Sequence, residues 1–446
     1  MNNIDCSLRR KVFALLVCYL SFGSVHAQQM LDLQACKDLA LQNSYTLKEG
    51  SLDVEIARAR AQEAFTNYFP IISANMLGFK TTKPLISETF RLPIPIPNLP
   101  ALQLDLLSDG LGINVMAAQP IFMGGQIVNG NRMAKLGHQL TAEKFELTKE
   151  EVLLKVEQLY WNNIEVEEKM QTIATVMKQL DALQKQTTDF VEAGLITRNN
   201  LLKVNLKINE LKSQQFQLEN IGDLVKKMLS QLIGVGVDTV SYTYPSVWNQ
   251  EIPLTYKVNA FEAVQQSKPY ALLGGQVRLS ELERRIAIGK QLPSVTIGGG
   301  FLYHNLVLSS VNTFVGLVNL SVPISGWWGG SYKTKQAKLK LRQAQIQQTN
   351  ASELLILEVD NYYSKLEESY KQLHIAREAI TEAEENYAMA LINYQSGMTS
   401  ITDLLDAQTI LQENKNMQTD ALISYQMSLS HYLQKTNRYV VTQQHD

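Results

Sequence analysis

The sequence predicts a mixed membrane-type fold: long antiparallel coiled-coil helices joined to four β-strands per chain, which complete a barrel only together with other chains. Three observations predict it. The whole chain is internally duplicated, its longest helical stretches carry apolar residues on a seven-residue step, and its strands alternate apolar with small or polar side chains. No run of 18 apolar residues occurs, so the membrane-spanning helix is excluded while the alternating barrel strand is not.

The duplication sets the order of everything else. Gln119-Pro120-Ile121-Phe122-Met123-Gly124-Gly125 recurs as Val322-Pro323-Ile324-Ser325-Gly326-Trp327-Trp328-Gly329-Gly330. Phe190-Val191-Glu192-Ala193-Gly194-Leu195-Ile196-Thr197 recurs as Tyr394-Gln395-Ser396-Gly397-Met398-Thr399, and Phe69-Pro70-Ile71 as Leu292-Pro293-Ser294. Repeat one covers about 30–235 and repeat two about 255–438. At roughly 150 residues per domain a chain of 446 would hold about three domains. One duplicated protomer, residues 28–446, replaces that expectation.

Each repeat reads helix, strand, loop, strand, long helix, tight turn, helix. Val152, Leu159, Val166, Ile173 and Leu180 follow one another at seven residues, as do Val359, Leu366, Leu373, Ile380, Tyr387 and Tyr394. A strict seven-residue row keeps facing a neighbour only if the helices supercoil. The strands are read at Ile71 to Phe79, Leu111 to Ala118, Val295 to Tyr303 and Val318 to Val322. Pro70, Pro120, Pro293 and Pro323 mark their junctions with helices, where a fixed φ and a missing N–H break an element. Trp327 and Trp328 at such a junction fit an interfacial aromatic belt. The loop of the first repeat is longer and holds Pro84 and the alternating prolines of residues 91–100, which favour an extended segment. Four strands cannot close a barrel, and an open edge cannot face hydrocarbon, so several chains must share one.

Residues 1–27 read as a secretory signal peptide: Arg9-Arg10-Lys11, an apolar run from Val12 to Gly23, then Val25-His26-Ala27 at the cleavage site. Cys36 is then the one cysteine left, so no disulfide is expected within the chain. A net charge of -2 offers no basic surface for nucleic acid. The histidines are scattered without metal-ligand spacing, and no nucleotide-binding or hydrolase motif occurs, so neither enzyme activity, a cofactor nor a metal is expected. Gly298-Gly299-Gly300 lies in a strand pattern and reads as a close backbone approach rather than a phosphate cradle.

The segment Leu31-Asp32-Leu33-Gln34-Ala35-Cys36-Lys37-Asp38-Leu39-Ala40-Leu41-Gln42-Asn43-Ser44 resembles the amino-terminal helix of the TolC-like outer-membrane efflux proteins. The duplicated Pro…Gly-Gly elements, the two turns and Thr402-Asp403-Leu404-Leu405-Asp406-Ala407-Gln408 resemble the same family. The resemblance implies a homotrimer in the cell outer membrane with a 12-stranded barrel and an α-barrel reaching through the periplasm. It implies no catalysis, a periplasmic adaptor, and an inner-membrane transporter of the resistance-nodulation-division or ABC type. Such a protein is the exit duct of a tripartite export system. The family's tip places the pore constriction at Asp403, Asp406, Tyr394, Asn200 and Thr399. Its adaptor-docking turns correspond to Gly194, Leu195, Thr197, Gly397, Met398 and Ser400. Thr399 stands where the best-known members have arginine, and Asn200 where they have aspartate. A closed state resting on hydrogen bonds rather than salt bridges is therefore expected.

Two readings of Asp403 stay open from the residues alone. It stands three after Ser400, a capping-box spacing, and three before Asp406 on one helix face. The alternative for the whole chain is an exported structural coiled-coil scaffold or adhesin with a small β cap. Dependence on detergent separates the two.

Overall fold

The computed structural model describes residues 29–90, 102–106, 109–236, 240–242, 251–307, 309–324 and 326–439. The signal peptide, residues 1–27, and the proline run 91–100 lie outside these residues. By internal packing the chain divides into two units: residues 1–50, 145–267 and 355–446, and residues 51–144 and 268–354.

The second unit is built on a four-stranded antiparallel sheet. Its strands are β2 (Ile71–Lys80), β5 (Asp109–Phe122), β7 (Ser294–Val307) and β8 (Ser309–Ser321), paired in the order β2-β5-β7-β8. The register turns the sequence alternation into faces. Ala74, Val115, Phe301 and Phe314 stand side by side across all four strands, and Ile72, Ala117, Gly299 and Gly316 form the next row. Asn75, Asn114, Leu302 and Thr313 make a row of the opposite face, where Asn75 Nδ2 donates to Asn114 Oδ1 at 3.1 Å. The apolar face is exposed within one chain: Phe314 is 83% and Val318 75% accessible. Strands of 10 to 14 residues are long enough to cross a bilayer at a tilt. No described helix is long and apolar enough to do so.

The three consecutive glycines act where strand backbones come close. A Cβ on Gly298 or Gly299 would meet Ala117 O or Val315 O at 2.9 Å, and one on Gly300 would strike Val115 O. The expected close approach is therefore what they serve. Pro70 and Pro293 directly precede β2 and β7, and Pro323 follows β8. Pro120, expected at a junction, instead lies inside β5, at the register shift between Pro120 and Phe122. A bulge tolerates the missing N–H, which is the physical reason. The first repeat's long loop contains a further antiparallel pair, β3 (Ile86–Phe90) with β4 (Leu102–Leu106).

The helices of this unit include α2 (Tyr45–Thr66), most of which belongs here, and α6 (Lys268–Gly289). The two longest helices are α3 (Gln126–Glu192, 67 residues) and α7 (Gly326–Gln395, 70 residues), and each contributes to both units. At ~1.5 Å per residue each is roughly 100 Å long.

In the first unit α3 and α7 pack with α4 (Arg198–Ile233) and α8 (Ile401–Lys435). Val152, Leu159, Val166, Ile173 and Leu180 are all buried, as the seven-residue row requires. On α7, Val359, Leu366 and Leu373 are buried, while Ile380, Tyr387 and Tyr394 are half-buried and Ala376 and Ala383 fill the core beside them. Two short elements were not legible in the sequence. β1 (Gln29–Leu31) pairs in parallel with β6 (Val240–Tyr242), and α5 (Ala260–Gln265) is capped by the Asn259 side chain. The amino-terminal helical segment is two helices, α1 (Leu33–Asn43) and α2, divided at Ser44.

A buried carboxylate ties this unit together. Glu157 on α3 forms an ion pair with Lys37 of α1 at 2.8 Å, accepts from Tyr439 Oη at 2.7 Å, and also accepts from Ser430 Oγ of α8. Burial pushes the Glu157 carboxyl up, but Lys37 and the hydroxyl donors outweigh it and hold it below the usual carboxylate range. Cys36 is buried and unpaired, and burial pushes its thiol up to about 12, so it is an inert packing residue.

Candidate functional site: the paired helix turns

Both long helices end in the same way. Gly194 has φ 71° and Gly397 has φ 73°, the left-handed conformation that glycine takes without a Cβ penalty. Leu195 N donates to Phe190 O at 2.9 Å and Gly194 N to Val191 O at 3.0 Å. The second turn repeats the pattern, Met398 N to Asn393 O at 2.8 Å and Gly397 N to Tyr394 O at 3.0 Å. These are Schellman closures, which satisfy carbonyls that a helix end leaves without partners. Leu195 and Met398 stand at equivalent positions after the glycines and are 70% and 69% accessible.

The next helices start differently. Ser400 and Asp403 form a full capping box: Asp403 N donates to Ser400 Oγ at 3.3 Å, and Ser400 N donates to Asp403 Oδ2 at 3.0 Å. Ser400 Oγ also donates to Asp403 Oδ2 at 2.9 Å. These hydrogen bonds, with the Lys203 ammonium nearby, lower the Asp403 pKa from its ordinary value. Thr197 caps α4 with its backbone only, and Asn200 N donates to Thr197 O at 3.0 Å. Lys203 Nζ of α4 donates to Thr402 Oγ1 of α8 at 2.7 Å, a cross-link between the two helix starts that sequence reading missed. Only tertiary packing brings positions 203 and 402 together, so no local signal could have found it.

The candidate constriction residues divide into two kinds. Asp403 and Asp406 are both exposed, one turn apart on α8. Tyr394 and Thr399 are half-buried, and their hydroxyls are buried without a hydrogen-bond partner. Tyr394 packs against the core cluster of Leu180, Leu183, Val204, Ile401 and Leu404. A cavity of about 300 Å³ behind this region is lined by Gln179, Gln186, Tyr387, Gln395 and Gln408, and Gln408 is buried with both amide ends unpartnered. Among the described residues no cluster of His, Cys, Asp or Glu could hold a metal.

Residues 276–430 match the family model "Outer membrane efflux protein". The fold is shared with the outer membrane channel CmeC of Campylobacter jejuni, at a TM-score of 0.77, 16% identity, and coverage of 91% of this chain and 86% of that one. It is shared with the open-state MtrE outer membrane channel of Neisseria gonorrhoeae, at a TM-score of 0.73, 15% identity, and coverage of 91% and 89%. The outer membrane protein VceC of Vibrio cholerae aligns at a TM-score of 0.71 and 13% identity over 90% of this chain and 96% of that one. No curated protein matches in sequence. The family match covers most of the second repeat, and the fold is common to these outer-membrane proteins over nine-tenths of the chain.

Proposed function

We propose that this chain is the exit duct of a tripartite export system, acting as a homotrimer whose twelve strands form one barrel in the outer membrane. The single observation that carries the duct is the sheet: four strands with one continuous apolar face and two unpaired edges, β2 and β8. In hydrocarbon those edges must be paired, and neighbouring copies are the simplest partners. A soluble β cap would bury the face that here stays exposed.

In this proposal the exposed turn residues Leu195, Thr197, Met398 and Ser400, held by Gly194 and Gly397, meet a periplasmic adaptor. The driving force comes from an inner-membrane transporter, of the resistance-nodulation-division or ABC type. Asp403 and Asp406 ring the closed mouth, three of each around the axis. Carboxylates gathered in a narrow neck raise the local cation concentration. The capping box and the ring are compatible, because one carboxylate can accept the cap hydrogen bonds and still present its charge to water.

Planar-bilayer recording tests the reading. Asp403→Asn with Asp406→Asn should weaken cation preference and abolish block by trivalent cations added on the periplasmic side. Unchanged selectivity and block would remove the ring and leave Asp403 as a cap.

A further inference from the structure

The charge along α7 is uneven. From Gly326 to Ser352 there is no Asp or Glu, while Lys333, Lys335, Lys338, Lys340 and Arg342 fall within ten residues. All five side chains are exposed. The phase of the helix is fixed at its first turns by the α6–β7 connection. Gln291 Nε2 donates to Gly330 O at 2.7 Å and also to Thr334 Oγ1, and Trp327 Nε1 donates to Gln291 O at 2.9 Å. Gly330 is buried there, and a Cβ on it would meet Gln291 Cγ at 2.8 Å.

With that face pinned, another face is left open within one chain. Trp328, Tyr332, Lys335, Lys338 and Arg342 follow at steps of four, three, three and four, so they form one stripe. Trp328 is 77% and Tyr332 70% accessible. Aromatics lead and cations follow, starting seven residues after β8 ends. Lys335 lies roughly 10 Å and Arg342 roughly 21 Å along the axis from Trp328. Aromatic rings favour the headgroup level of a bilayer, and lysine stems can reach back toward it.

We propose that this stripe is a docking surface for the periplasmic leaflet, holding anionic phospholipid headgroups against the base of the barrel. The inference rests on the outer-membrane reading above. Charge complementarity selects the occupant: an acid-free basic stripe repels a cationic partner and attracts lipid phosphates that carry net charge. A surface potential decays within about a Debye length, ~8–10 Å at physiological salt. The contribution must therefore fall along the helix, with Lys335 first, Lys338 next and Arg342 last. A stripe serving only solubility would show no such order.

The test uses the full-length protein reconstituted in vesicles, either all phosphatidylcholine or with 30% phosphatidylglycerol, with conductance recorded on the same preparations. Retention of phosphatidylglycerol by the re-solubilised protein is then compared with that of phosphatidylcholine. Wild type should prefer the anionic lipid, the preference should shrink with added salt, and K335Q should cost roughly fivefold. R342Q should cost clearly less than K335Q. Equal retention of both lipids by a conducting wild type overturns this inference and spares the duct. Protein that neither inserts nor conducts overturns both. Should K335Q with K338Q and R342Q dissociate the oligomer instead, the stripe is a contact between copies and the lipid assignment is wrong.

Discussion

Single residues carry two separable kinds of work here, packing and charge. Glu157 is the clearest structural charge: two hydroxyl donors and Lys37 converge on a side chain that is almost wholly buried. Removing one partner of such a pair leaves the other charge uncompensated, so Glu157→Leu should cost about 3–5 kcal/mol in a denaturation series. Because its folded pKa is lowered, the carboxylate's contribution is fully present above its unfolded pKa of about 4.3 and is lost as pH falls through the folded value. Acid titration of the melting temperature should show this step in wild type, and it should be absent from the variant. Asp403 obeys the same sign, being lowered by its cap hydrogen bonds. Its single Asn variant keeps an oxygen to accept from Ser400 N but loses the charge, so it should lower the melting temperature slightly at neutral pH and not at all in acid.

At the scale of elements, the turns and the heptad rows make opposite demands on side chains. Gly194 and Gly397 have open space where a Cβ would stand, so substitution there meets only the left-handed backbone. Gly397→Ala should cost about 1–2 kcal/mol and still assemble. Gly194→Glu or Gly397→Glu adds a charge at the proposed adaptor contact and should abolish export while the protein remains in the outer membrane. Normal export by assembled Glu variants would refute the docking assignment. The rows act through volume instead. Leu366 has no accessible surface, and Leu366→Ala should cost about 2–5 kcal/mol, measured by thermal unfolding in detergent.

For the whole molecule the decisive quantity is the number of unpaired strand edges. One chain ends its sheet at β2 and β8. The proposed trimer should therefore elute at roughly 150 kDa plus its micelle and require detergent, because apolar faces and open edges need lipid or another copy. A monodisperse monomer without detergent would support the scaffold alternative. The sharing of one fold at 13–16% identity with three outer-membrane proteins follows from the same economy. Rows, turns and alternation constrain residue classes at fixed spacing, not residue identities.

Whatever is periodic or local could be read from the chain before it folds. The seven-residue rows named the buried faces of α3 and the first part of α7, the strand alternation named the two faces of the sheet, and Gly194 and Gly397 announced helix ends. Ser400 and Asp403 announced a helix start. Each of these follows from geometry within a few residues, so pattern suffices. Pairings between distant positions emerge only in the packed molecule: the strand order, the β1–β6 pair, the Glu157 hub, the Lys203–Thr402 link and the Gln291 clamp on α7. None of these leaves a trace in local spacing, because their energy comes from groups far apart in the chain that meet only once the helices have packed. The placement of Pro120 at a bulge belongs with them, since a bulge is defined by the partner strand and not by the strand that carries it.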